Sequence, residues 1–136
     1  MPPTFRSAVI KTLGGHQRLG LHFDRARHVN TAVGVGIWVV RGNGITCIFE
    51  ANRGASSCAG DAYVVRQGLE LVLGQGTPLP HNRGIPGHFL ALGIAPDSVK
   101  AVRLKVVGDK SITVPVIKDA YGLRAGAPIN REVLIR

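Results

Sequence analysis

Two cysteines and five histidines are the side chains of this 136-residue chain best suited to act as nucleophiles, proton carriers or soft metal ligands. Cys47 and Cys58 have ten residues between them, which suits a small disulfide-closed loop and no C-x-x-C zinc or redox pair. The competing reading keeps both reduced, as small buried hydrophobes in a reducing compartment. A third reading makes Cys47 a thiolate nucleophile, which needs a histidine within hydrogen-bond reach and an electropositive setting. His28, His81 and His88 are the candidate bases and Arg53 the candidate cation. His16, His22 and His28 fall six residues apart, a spacing that follows neither a helix face nor a strand face. Carboxylates and thiolates do not accompany them in a ligand pattern. No metal site and no cofactor is therefore expected.

Charge is the second source of chemistry. The formal net charge is +9, and it is unevenly spread. Residues 1–32 hold five Lys/Arg against Asp24 alone, residues 33–99 hold four of each sign, and residues 100–136 hold eight basic against three acidic. Such basic ends attract polyanions, whether nucleic acid or acidic polymer, with Arg18, Arg25, Arg27, Arg103 and Lys105 as the candidate contacts. The plainer explanation is that dispersed Lys and Arg on solvent faces of strands discourage edge pairing and aid solubility. No run of five basic residues occurs, and aromatic residues for base stacking are few.

The elements that must position these groups read as β. Val and Ile outnumber aromatic residues, and the 18 Gly and 8 Pro are scattered between short apolar runs. Gly36 to Glu50 is two apolar runs joined by Gly42-Asn43-Gly44. A type I′ turn centred on Asn43 and Gly44 would set Val40 opposite Cys47 and Trp38 opposite Phe49, burying Trp38. Residues 51–60 read as a turn-rich loop returning to Cys58. Asp61 to Gln67 reads as a short helix capped by Asp61 and ended by Gly68. Leu69, Leu71 and Leu73 alternate as a strand, and residues 75–87 form a Pro/Gly-rich loop. Phe89 to Ile94 resumes the β pattern. Pro96 to Val99 forms a turn, and Ala101 to Val107 is a strand with Val102, Leu104 and Val106 inward and Arg103 and Lys105 outward. A turn at 108–110 returns the chain along 111–117, where Pro115 demands an edge. Val133 to Arg136 adds a last strand. Thr4 to Leu13 and Asp24 to His28 are further helical candidates. The expected fold is mainly β: an antiparallel sandwich or partly open barrel with two or three short helical segments. A basic segment, 1–31, partly helical or extended, precedes a single β-rich domain, 32–136.

Residues 38–136 resemble a group of small uncharacterised secreted proteins of high-GC Gram-positive bacteria. The features that carry the likeness are Trp38-Val39-Val40, the Gly-rich turn 42–44, Cys47, Cys58, the turn from Gly93 through Pro96-Asp97-Ser98-Val99, and Val114-Pro115-Val116. The resemblance implies an exported domain with a Cys47–Cys58 bridge, and it brings no activity with it. The opening Met1-Pro-Pro-Thr-Phe-Arg6 lacks the apolar core and cleavage site of a signal peptide, which taken alone favours the cytoplasm. No stretch is long and apolar enough to span a membrane. Three function classes follow. One is a non-enzymatic extracytoplasmic binding module for a protein or polymer, secreted or in the cell envelope. The second is polyanion binding through the basic termini. The third is a Cys/His-dependent enzyme, since Thr46-Cys47 and Arg53 faintly resemble sortase-like transpeptidases. Partner and oligomeric state are not encoded in any pattern here.

Overall fold

The computed structural model describes residues 1–3, 20–52, 55–75 and 88–136, with backbone alone at Gln75 and His88. The helix expected over Thr4–Leu13, the 76–87 loop, His16, Arg18, Arg53 and His81 lie outside these residues. The described chain is mainly β, in three antiparallel sheets with one α-helix. No described helix is long and apolar enough to cross a membrane.

The first sheet runs in the order β1 (Arg27–Asn30), β2 (Gly36–Arg41), β3 (Ile45–Glu50), β4 (Ser56–Gly60). The β2–β3 register is the expected one, with Val40 opposite Cys47 and Trp38 opposite Phe49. Its turn differs. Gly44 alone takes a positive φ, 70°, and Asn43 stays out of the left-handed region, so the turn is not type I′. Two consecutive left-handed residues occur instead at Lys118 and Asp119, with φ of 52° and 67°. There Ile117 and Ala120 exchange both backbone hydrogen bonds, at 2.9 and 3.0 Å.

Two more corrections fall in this sheet. The segment after β3, expected to be loop, becomes strand β4, because pairing with β3 satisfies its backbone although its small residues carry little β signal. The helical turn expected over Asp24–His28 shrinks to a 3-10 turn at Phe23–Arg25, and the next residues pair with β2 as β1. Residues 23–30 thus pack on or within the first sheet: Phe23 is buried against Phe49 and Val29 lies among the core residues.

Gly60 leads into helix α1 (Asp61–Gln67). Asp61 is its first residue rather than its cap; the Asp61 carboxylate accepts a hydrogen bond from the Thr46 hydroxyl at 2.8 Å. Gly68, at φ 69°, ends the helix as expected. The second sheet is ordered β5 (Leu69–Gln75), β6 (His88–Ile94), β9 (Ala120–Ala125), and the third β10 (Ile129–Ile135), β7 (Ala101–Val106), β8 (Ser111–Pro115). Pro115 does lie on an edge strand, where its missing N–H costs no ladder bond.

Strand alternation assigns the second sheet two apolar faces. Leu69, Leu71, Leu92, Ile94 and Ala120 pack with Val29, Ile37, Val39 and Ile48 of the first sheet. The opposite face, through Ala91 and Tyr121, packs with Val102, Leu104, Val106, Val114 and Ile129 of the third. A smaller cluster of Phe23, Val40, Cys47 and Phe49 covers the outer face of the first sheet. Trp38 only borders this cluster and is half-buried, correcting the expectation of burial. Its ring meets the exposed His28 edge-on, with centroids 4.9 Å apart.

Candidate functional site

Cys47 and Cys58 are directly opposed on β3 and β4 and are bonded, with S–S 2.03 Å and Cα–Cα 4.1 Å. Cys47 is wholly buried and Cys58 is exposed. Both sulfurs of the chain's two cysteines are consumed, so neither offers a thiolate in this oxidised state. Of the described histidines, His28 lies against Trp38, while His22 lines a cleft on the other side of the sheet. Among the described residues, no three His, Cys, Asp or Glu side chains converge as metal ligands would.

That cleft, of about 590 Å³, gathers three arginines, a histidine and two aspartates. Alternation along the strands puts Arg27 of β1, Val39 and Arg41 of β2 and Thr46 of β3 on the sheet face that packs toward β5–β6–β9. At that end the apolar core gives way to charge. The 3-10 turn contributes Arg25, and His22 just before it is held by a 2.8 Å bond from its N–H to the Arg41 carbonyl. Val64 of α1 and Ile94 of β6 complete an aliphatic wall.

Asp97 and Asp119 also line the cleft. The Ala95 N–H donates to the Asp119 carbonyl at 2.8 Å, tying the Lys118-Asp119 turn to the Pro96–Val99 turn and bringing the two carboxyls within hydrogen-bonding reach. Desolvation, together with the Asp97 charge and hydrogen bond, raises the Asp119 pKa above the usual carboxylate value, and Arg27 opposes that rise.

The candidate polyanion residues therefore separate. Arg25 and Arg27 share the cleft, joined by Arg41 and His22, which charge counting along the chain did not single out. Arg103 and Lys105 stand on the outward face of the third sheet with partners of their own. Arg103 pairs with Glu132 at 3.2 Å, and the Lys105 ammonium donates to the Asp109 carbonyl. Glu132 reaches Arg103 because it is the extra residue of a bulge between Arg131 and Val133, and it also accepts from the Ser111 hydroxyl at 3.0 Å.

A second polar cluster lies beside the bridge. The Tyr121 hydroxyl donates to Glu70 at 3.1 Å, and the Arg131 guanidinium donates to the Gln67 carbonyl at 2.7 Å. Glu70 and Arg131 line a shallower hollow of about 450 Å³ with Cys58, Tyr63 and Asn130. Burial pushes the pKa of Glu70 up despite the Tyr121 bond and the Arg131 charge, and burial likewise pushes the Tyr121 phenol up. Comparison with known protein families, characterised proteins and solved structures finds no match to this chain.

Proposed function

We propose that this protein is an extracytoplasmic binding module that recognises an anionic group of a partner protein or polymer in the arginine-lined cleft. The carrying observation is the convergence of Arg25, Arg27, Arg41 and His22 on one cavity, backed by aliphatic side chains that exclude water from part of its wall. Guanidinium groups fit carboxylates and phosphates through paired, charge-assisted hydrogen bonds. A volume near 590 Å³ is in the range of small-molecule and peptide sites. The scaffold is best read as a sandwich of stacked sheets, since the second sheet carries an apolar cluster on each face. An extracytoplasmic location is supported by the bridge, because such bonds persist in oxidising compartments.

Labelled polyglutamate tests the reading by fluorescence anisotropy. The triple change Arg25→Ser, Arg27→Ser, Arg41→Ser is expected to weaken binding by about tenfold or more, as loss of charge-assisted bonds does. Arg103→Ser with Lys105→Ser is expected to leave it nearly unchanged. Equal weakening by both sets would mean that net charge alone attracts the polymer, and the cleft assignment would fall.

A further inference from the structure

The arginines share their cleft with two carboxylates, and a purely anionic ligand would have to approach both. Asp97 is exposed in the Pro96–Val99 turn, and Asp119 stands on a hairpin tip fixed by its own main-chain bond to Ala95. Neither is recruited to finish a helix or neutralise a buried cation. Two carboxyls in hydrogen-bonding contact repel when both are ionised, so the pair favours either a shared proton or a positive charge placed between them. Arg27 is the cation of the cleft that acts on Asp119, which leaves Arg25 and Arg41 to face an incoming anion. Val39, Val64 and Ile94 line the same cleft, and no Phe, Tyr or Trp ring is among its described lining residues.

We infer that the ligand of this cleft is dipolar: a short peptide, or the end of one, presenting an ammonium group to Asp97 and Asp119 and a carboxylate to Arg25 and Arg41. This rests on the cleft being the binding site. It adds that the ligand must carry both charges, set apart by an apolar stretch lying on Val39, Val64 and Ile94. A nucleic acid strand, which offers phosphates alone, would meet the aspartates unfavourably.

The sign of the pH response distinguishes this from a plain anion site. The groups facing the cleft are His22, Arg25, Arg27, Arg41, Asp97 and Asp119, with Asp61 behind Thr46. On acidification Asp119, whose pKa burial and the adjoining Asp97 charge push above the usual range, takes up a proton. Loss of that negative charge strengthens the hold on a simple anion. For a dipolar ligand, protonation of Asp119 removes one of the ammonium's partners, and binding weakens.

The test uses trialanine with both ends free, N-acetyl-trialanine and trialanine amide, titrated into the full chain by calorimetry or NMR. The free peptide is expected to bind, with either blocked form weaker by about tenfold or more. Asp97→Asn with Asp119→Asn should abolish the advantage of the free peptide over the acetylated one, weakening the former and leaving the latter no weaker than before. Asn tolerates the left-handed backbone at 119, so the turn survives. Acetylated peptide binding as well as the free form, and tighter in acid, would overturn the dipolar inference while the cleft reading stands. The dipolar inference also falls, and the cleft reading again stands, if no tripeptide binds but polyglutamate still responds to the arginine changes. If polyglutamate and tripeptides alike ignore both arginine and aspartate substitutions, both readings fail.

Discussion

Glu70 shows how much one side chain's surroundings matter. Its carboxyl is pushed toward the protonated form by burial, with Tyr121 and Arg131 only partly compensating. A carboxyl that holds its proton more tightly when folded contributes stability that is present below its unfolded pKa, near 4.5, and lost as pH rises through the folded value. Glu70→Gln keeps an acceptor for the Tyr121 hydroxyl and removes the charge. Thermal unfolding across a pH series is expected to show the variant melting higher near neutrality, with the advantage vanishing in acid below about pH 4.5. A variant that melts lower at neutral pH would mean that attraction to Arg131 outweighs desolvation. Phe49 and Trp38 make a second comparison. Phe49 is wholly buried, so Phe49→Ala should cost about 3–5 kcal/mol in denaturant unfolding, and Trp38→Ala clearly less. The register of this pair was legible in the sequence, yet the covering of its outer face was not. That cover comes from Met1, Leu21, Phe23 and Ala26; Leu21 and Phe23 alternate with polar residues as in a short strand, yet they dock from irregular chain and a 3-10 turn.

Among the elements, those with an apolar run or clear alternation were legible: β2, β3, β5, β6, β7 and β8 lie where those patterns put them. Strands β1, β4 and β9 were not. Strand β9 reads Ala-Tyr-Gly-Leu-Arg-Ala, with little β-branched content, because the middle sheet demands small residues where layers approach. A Cβ on Gly122 would lie 2.9 Å from the Val33 side chain, and one on Gly93 would overlap the Tyr121 ring. The cleft was legible only in part, since Arg41, Asp97 and Asp119 sit on ordinary strand and turn positions far apart in sequence. Their convergence is a product of tertiary pairing. Gly68 was legible as a helix stop, and the structure adds a second demand. Besides its φ of 69°, a Cβ there would run into the Ile94 carbonyl oxygen. Gly68→Ala should therefore destabilise by more than the ~1 kcal/mol of a left-handed penalty alone, read as a lowered denaturation midpoint at unchanged slope.

For the molecule as a whole, the Cys47–Cys58 bond closes a short loop within a domain whose apolar clusters lie largely elsewhere. Reduction is expected to lower stability by roughly 2–3 kcal/mol through the regained entropy of the open loop, without unfolding the protein at room temperature. Calorimetric scans with and without reductant check this; complete loss of the transition on reduction would show that the cores cannot hold the fold unaided. The position of the bond has a further consequence. Strand β4 ends its sheet, and such a margin is where two copies of a chain most readily trade segments. Pinned at its middle residue to β3, β4 cannot peel away and be replaced by the same strand of a neighbour unless a covalent bond is cut first. The bridge thus makes each chain's strand its own, and protects this side of the protein from exchange at high protein concentration.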